Sequence, residues 1–184
     1  MNSCPLRVAV IIGSTREGRV GDAVGKWFTD RADDRDDLVT EVLDLIDFTM
    51  PAELPEQPTP EMKRFARLVD EAEAFVVVTP EYNRSFPASL KQAIDTAYDE
   101  WRAKPVGFVS YGYRSQGLYA VEQLRSIFTE LHTVTMRDTV AFNLLDGTPA
   151  DVDGQGQAVT TLLDELVWWG LALREARAAR PYVC

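Results

Sequence analysis

The residues best suited to chemistry lie at 79–95, which read TPEYNRSFPASLKQAID. They follow the continuously apolar run AFVVV at 74–78, which is typical of a central parallel strand covered on both faces. Pro80 cannot donate to a strand ladder, so the strand is expected to stop there, and Pro87 is expected in the first turn of a helix. The Glu, Tyr and Asn at 81–83 are thereby placed at the carboxyl end of a strand, where open α/β sheets bind ligands.

A second polar loop, at 13–21, reads GSTREGRVG and comes between an apolar strand pattern and a helical pattern. The free N–H groups and the dipole of a helix N-terminus attract phosphate, and the hydroxyls of Ser14 and Thr15 add donors. Arg16 and Arg19 add charge that can form bidentate contacts with a phosphate monoester. The alternative is an ordinary helix start with surface arginines.

Other nucleotide-binding motifs do not fit the sequence. A Walker loop around the Gly-Lys pair at 25–26 would need glycine at Val20 and a hydroxyl residue at Trp27. The dinucleotide fingerprint is absent because Arg16 stands where its first glycine belongs. Asp44, at the end of the second predicted strand, could act as the ribose-binding acid of that fold, but the missing glycines leave this assignment without support.

The elements that must position these loops alternate between strand and helix five times. This pattern predicts a parallel sheet with helices on both faces. The strands are predicted at 7–12, 38–44, 74–78, 106–112 and 133–136, and the last can resume at 139–142. Five strands favour the doubly wound, flavodoxin-like order 2-1-3-4-5, in which the loops after strands one, three and four form the ligand crevice. The chain, 1–184, is predicted to be a single domain.

Together these loops predict a monophosphate held after strand one and a flat polar heterocycle held by the loops after strands three and four. FMN has this shape. Residues 80–83 would run along the isoalloxazine ring, with Tyr82 as an aromatic wall, and residues 110–112 would close the other side. The alternative for Tyr82 and Tyr111 is ordinary aromatic packing at a strand end.

At these motifs the sequence resembles the NAD(P)H-dependent FMN reductases of the flavodoxin-like superfamily, which include quinone, azo and chromate reductases. The resemblance covers about residues 6–145 and implies bound FMN, NADPH or NADH as co-substrate, and a small electron acceptor such as a quinone, free flavin, an azo dye or a metal oxyanion. The implied phosphate residues are Ser14, Arg16, Arg19, Val20 and Gly21, to which the loop's own chemistry adds Thr15. The implied residues for the ring and ribityl are Pro80, Glu81, Tyr82 and Asn83, with Ser110, Tyr111 and Gly112 at the ring's far edge. No catalytic side chain is expected, because the cofactor carries the hydride chemistry.

Two other functional classes stay open. One is a flavodoxin-type electron carrier without a nicotinamide site, and the other is a flavin-binding regulatory module. Short-chain carriers have phosphate loops rich in Ser and Thr with few charges, so Arg16 and Arg19 favour the reductase. The family pattern continues with a second glycine where this chain has Tyr113. Its ring would either narrow the substrate side of the flavin or point to solvent.

The composition of the chain indicates which kinds of partner it can bind and in which compartment it works. A formal net charge of −10 argues against a nucleic-acid partner. Two cysteines, Cys4 and Cys184, and one histidine, His132, suggest neither a disulfide framework nor a metal site, so a reducing cytoplasm is expected. No signal segment and no apolar run of about 18 residues is seen, so no membrane association is expected.

Assembly into a homodimer or a dimer of dimers is expected from the resemblance. The aromatic residues Phe86, Tyr98 and Trp101 cluster after the ring loop and support this expectation. The helix predicted at 87–97 would then lie at the interface.

Overall fold

The computed structural model describes residues 4–147 and 155–183, and a parallel sheet forms its centre. The strands are β1 (Leu6–Ile12), β2 (Leu38–Asp44), β3 (Ala74–Pro80), β4 (Pro105–Gly112), β5 (Val134–Thr135) and β6 (Val140–Asn143). The helices are α1 (Gly21–Ala32), α2 (Pro60–Glu71), α3 (Ala88–Ile94), α4 (Leu118–Glu130) and α5 (Gly156–Ala179), with 3-10 turns at Leu45–Asp47 and Asp99–Trp101. Within the described ranges, no helix is both long enough and apolar enough to cross a membrane.

The strand order is β2-β1-β3-β4-β5, which confirms the predicted flavodoxin-like arrangement. Every neighbouring pair runs parallel. The sheet has six strands where five were predicted, because β5 and β6 both pair with β4 and share the fifth position. At the break between them, the Arg125 guanidinium donates to the carbonyl oxygens of Met136 and Arg137, so these oxygens are satisfied by a side chain of α4.

Two apolar layers cover the sheet, one on each face, as the predicted architecture requires. Side chains alternate along each strand, so neighbours in sequence enter opposite layers. In β3, Val76 and Val78 pack in the layer of α1 and α5, whereas Phe75 and Val77 pack in the layer of α2, α3 and α4. Burying one such side chain stabilises the fold by about 1.5–3 kcal/mol. This packing fixes the strand ends from which the polar loops emerge.

Helix α3 differs from the sequence prediction at both ends. Pro87 precedes the helix with an extended ψ of 142°, so the first helical residue is Ala88. The helix ends at Ile94, short of the predicted position 97. The indole N–H of the buried Trp101 donates to the carbonyl oxygens of Ile94 and Ala97, at 3.1 and 3.0 Å. Terminal carbonyls that lack an intrahelical partner are satisfied in this way.

Glu73 ties the ends of three elements together at the opposite end of the sheet from the polar loops. Its carboxylate accepts hydrogen bonds from the Arg7 backbone N–H at 3.0 Å and from the Arg174 guanidinium at 2.7 Å. Burial raises the pKa of this carboxyl, but the bonds from Arg7 and Arg174 outweigh it and hold the pKa below its ordinary value. A lowered pKa in the folded state stabilises the fold above the unfolded pKa, and this contribution disappears as the pH falls through the folded value.

Replacing Glu73 with glutamine is therefore expected to lower the free energy of unfolding by about 1–3 kcal/mol at neutral pH. The cost should shrink as the pH falls below about 4.5, because the carboxyl of the unfolded chain takes up a proton there, and it should disappear once the pH passes the lower pKa of the folded state. Urea unfolding at pH 7 and pH 4 measures both effects. Glu71→Gln is the matched control, since the Glu71 side chain is 58% exposed and its pairing with Arg67 is long, at 3.9 Å. Equal losses in the two variants would contradict the prediction.

Candidate functional site

The loops after β1, β3 and β4 meet at the carboxyl ends of these strands. Backbone bonds connect them: the Gly13 N–H donates to Val78 O and the Glu81 N–H donates to Tyr111 O, both at 2.9 Å. The hydroxyl groups of Ser14 and Tyr82 are 2.9 Å apart, although 68 positions separate them in sequence. The structure thus brings together the three loops that the sequence assigned to one crevice.

The loop after β1 leads into an uncapped helix. The N–H groups of a helix's first turn have no intrahelical acceptor. In α1 the N-cap residue Val20 makes no side-chain capping bond, so no side chain at this position satisfies them either. At Gly21 a Cβ atom would lie 2.7 Å from the Tyr111 hydroxyl and 3.3 Å from Ile12 Cγ2. Glycine at this position therefore lets the helix start approach the strand ends closely, where its N–H groups can bind a phosphate oxygen.

The two arginines of this loop have different surroundings. Arg16 is exposed, with its guanidinium carbon 6.0 Å from the centroid of the Tyr82 ring. Arg19 is bound to both carboxylate oxygens of Asp44, at 2.6 and 2.5 Å. The hydrogen bond to Asp44 is the main reason that the pKa of Arg19 is raised. Asp44 is consequently paired with a cation and is not presented as a ribose-binding acid.

Ser14 and Tyr111 lie beneath the loop. Ser14 is fully buried, and Tyr111 is 3% exposed and belongs to the apolar layer of α1 and α5. The Tyr111 hydroxyl is buried without a hydrogen-bond partner among the described residues. Burial is the main reason that the pKa of this hydroxyl is raised, and the neighbouring Tyr82 adds to the effect. An unsatisfied buried donor beside the start of α1 fits an anionic group at this place.

The ring loop forms a two-residue hairpin turn that the sequence analysis did not predict. Tyr82 and Ser85 exchange backbone hydrogen bonds of 2.8 and 3.0 Å. The two residues between them have positive φ, 51° at Asn83 and 66° at Arg84. Asparagine is common in this conformation, but arginine is not. Gln123 of α4 supports the turn by donating to the Arg84 carbonyl oxygen at 2.6 Å.

The Glu81 carboxylate joins the ring loop to the loop after β4. It accepts from the Ser115 hydroxyl at 2.6 Å and from the Tyr119 backbone N–H at 3.1 Å, in the first turn of α4. The buried Ser110 hydroxyl in turn donates to the Gln116 carbonyl oxygen at 2.8 Å. The sequence predicted Glu81 and Ser110 as site residues but gave no signal for these partners.

The remaining predicted residues lie in the first loop or at strand ends, and β3 extends two residues beyond its predicted end at 78. Thr15 is exposed in the first loop, Pro80 is the last residue of β3, and Gly112 is the last residue of β4. A Cβ atom at Gly112 would lie 3.2 Å from the Gly117 N atom, which leaves room only for glycine without a shift. Tyr113, where the chain departs from the family pattern, has a side chain that is 65% exposed. Cavities of 580 and 660 Å³ lie away from these loops, around His132 with Tyr182 and around Val39 with Glu71 respectively.

The donor set of the crevice fits FMN. Open N–H groups, hydroxyls and one exposed arginine gather at the start of α1, while Tyr82 and the ends of β3 and β4 border a surface for a flat ring. An open crevice also suits a cofactor whose ring face must meet other small molecules. The arrangement can hold a flavin monophosphate by its phosphate and by one edge of its ring.

The sequence of the chain matches a known family and several of its members. The family model described as NADPH-dependent FMN reductase matches residues 6–145. The NAD(P)H-dependent FMN reductase ntnL of Nectria sp is 36% identical over 119 residues, which cover 58% of this chain and 59% of that protein. The 2-hydroxy-1,4-benzoquinone reductase of Burkholderia sp is 25% identical over 177 residues, covering 89% of this chain and 96% of that protein.

A solved structure supports the fold. The flavoenzyme NAD(P)H:(acceptor) oxidoreductase FerB from Paracoccus denitrificans superposes with a TM-score of 0.75 at 22% identity, covering 91% of this chain and 98% of that one. The chain spans only part of the length of two FMN reductase relatives. The matched region covers 59% of ntnL and 60% of the NAD(P)H-dependent FMN reductase of Schizosaccharomyces pombe.

Proposed function

Because the chain belongs to the NADPH-dependent FMN reductase family, we propose that it binds FMN and catalyses hydride transfer from NADPH or NADH to a small electron acceptor. The observation that carries this proposal is the uncapped start of α1, which lies beside the buried Ser14 hydroxyl and faces the Tyr82 loop. Bound FMN supplies the hydride chemistry, while the protein supplies binding, orientation and electrostatics.

The loop after β1 would hold the phosphate. Its donors are the N–H groups at Val20 and Gly21, the hydroxyls of Ser14 and Thr15, and the Arg16 guanidinium. Residues 80–83 would run along the ring and ribityl, and residues 110–112 would border the far edge of the ring. No side chain of the chain is assigned a catalytic role, because the two-electron step needs no protein nucleophile.

The acceptor proposed is a quinone. The support is the name of the Burkholderia relative, a 2-hydroxy-1,4-benzoquinone reductase that aligns over most of both chains. Free flavin, azo dyes and metal oxyanions are the other acceptors to test. A chain with only two cysteines is compatible with work in a reducing cytoplasm, which we propose as its location.

Purified protein tests the function in two steps. A yellow colour with a flavin absorbance spectrum, and release of FMN on denaturation, are expected. Oxidation of NADPH or NADH should then accelerate when benzoquinone is added. Flavin without nicotinamide oxidation would indicate an electron carrier or a regulatory module, and absence of flavin binding would refute the proposal.

We further propose a symmetric dimer formed around α3 and α4. A cleft of 460 Å³ lies between these helices, and Tyr98, which lines it, is 51% exposed. Trp101, which the sequence grouped with the interface aromatics, is instead fully buried in the core. Phe86 is partly buried and packs against the layer of α2, α3 and α4.

Light scattering at micromolar concentration is expected to give at least twice the 20.6 kDa chain mass. Replacing Tyr98 with glutamate should shift the mass toward the monomer, because an unpaired charge would be buried at the interface. Tyr113→Glu is the matched control, since Tyr113 is also an exposed tyrosine but lies on the loop after β4. A single 20.6 kDa species from the unchanged protein would contradict the dimer.

A further inference from the structure

The ion pair between Arg19 and Asp44 ties the loop after β1 to the end of the edge strand β2. The geometry points to a positioning role for this pair: Arg19 and Asp44 hold the phosphate loop in its binding conformation, and Arg19 does not itself bind the phosphate. This inference rests on the proposed function. It revises the expectation, drawn from the sequence, that both loop arginines contact the phosphate.

The donors of Arg19 are largely occupied. One terminal nitrogen donates to the Ser14 carbonyl oxygen and to Asp44 Oδ1, both at 2.6 Å, and the other donates to Asp44 Oδ2 at 2.5 Å. The side chains of Arg19 and Asp44 are 12% and 16% exposed. A phosphate would have to displace a bidentate carboxylate from a partly desolvated site, which is costly because Asp44 would be left without its partner.

Asp44 is itself fixed from a second side. Its Oδ1 atom accepts from the Ile46 N–H at 3.2 Å and so caps the 3-10 turn that follows β2. The carboxylate therefore has a defined position before it meets Arg19. A rigid acceptor of this kind can hold the guanidinium, and through it the loop, in one place.

Hydrogen bonds connect the Arg19–Asp44 pair to the predicted flavin crevice. Arg19 holds the backbone oxygen of Ser14, and the Ser14 hydroxyl contacts the Tyr82 hydroxyl at 2.9 Å. One series of contacts thus joins the ends of β2, β1 and β3. Breaking it at Asp44 should loosen both the phosphate loop and the placement of Tyr82.

Arg16 remains available to supply the charge. It is exposed, and no carboxylate pairs with it in the part of the chain that the structure describes. The two arginines of the loop therefore have different roles: Arg19 holds the loop in place, and Arg16 binds the ligand.

The first test measures FMN affinity in Asp44→Asn, in Arg19→Gln and in the double variant. We expect about tenfold weaker FMN binding in each single variant and no further loss in the double variant, because both changes break one interaction. Asp44→Glu should recover part of the affinity. If Arg19 bound the phosphate directly, Asp44→Asn would release its guanidinium, and unchanged or tighter FMN binding in that variant would overturn the inference.

The second test needs no flavin. Amide hydrogen exchange of the flavin-free protein should be at least tenfold faster in Asp44→Asn at Arg19, whose N–H donates to the Arg16 carbonyl oxygen at 3.2 Å, with β3 amides unchanged. Asp37→Asn is the matched control, since Asp37 also forms a bidentate pair with an arginine, Arg35, away from the crevice. Unchanged exchange in the loop would overturn the inference. Failure of the unchanged protein to bind FMN would refute the proposed function and leave this exchange measurement to decide the positioning role.

Discussion

Replacing Gly117 with alanine is expected to lower the free energy of unfolding by about 3–5 kcal/mol. Gly117 precedes α4 with φ at +91°, a conformation that L residues rarely adopt. A Cβ atom there would lie 2.4 Å from Ser110 Cβ and 3.1 Å from the Tyr111 N atom. Both obstacles belong to the buried strand β4, so the start of α4 would have to move instead. The movement should break the bond from the Ser110 hydroxyl to the Gln116 carbonyl oxygen.

Gly18→Ala is the matched control for this loss. Gly18 also has a positive φ, +66°, but a Cβ atom there would meet nothing within 4 Å. The variant should therefore cost only about 1 kcal/mol, the conformational part of the effect. Urea unfolding followed by circular dichroism measures both variants. Equal losses would show that the contact with Ser110 contributes nothing.

The fold was predictable because its information is local and periodic. The run at 74–78 is apolar at every position, which indicates a strand buried on both faces, and its neighbours alternate with helices in a way that few topologies allow. The break between β5 and β6 was not assigned in advance as two strands. At the break, Arg125 of α4 donates to the carbonyl oxygens of Met136 and Arg137, a contact between residues distant enough that local sequence patterns do not reveal it.

The site shows the same division between local and long-range information. Glycines, prolines and hydroxyl residues at strand ends predicted which loops form the crevice, and the contact between Ser14 and Tyr82 follows because β1 and β3 are neighbours. The different surroundings of Arg16 and Arg19 were not predictable. Both lie in one short polar loop, and only the register of β2 beside β1 brings Asp44 within reach of Arg19.

Replacing Arg16 with alanine is expected to weaken FMN binding by about 1.5–3 kcal/mol, or roughly 10- to 150-fold. A charge-assisted hydrogen bond to a phosphate has this size, and Arg16 is the loop arginine without a carboxylate partner in the described part of the chain. The stability of the flavin-free protein should change by no more than about 0.5 kcal/mol, because Arg16 is exposed.

Riboflavin separates the phosphate contribution from that of the ring. It lacks the phosphate, so the unchanged protein should bind it more weakly than FMN, and Arg16→Ala should leave its affinity nearly constant. Added salt should weaken FMN binding more in the unchanged protein than in the variant, because screening acts on the charge that the variant has already lost. Arg180→Ala is the control, an exposed arginine just beyond α5. A residue that contacts only the phosphate cannot affect the affinity for riboflavin, which has none. Equal losses of FMN and riboflavin affinity in Arg16→Ala would therefore contradict a phosphate contact.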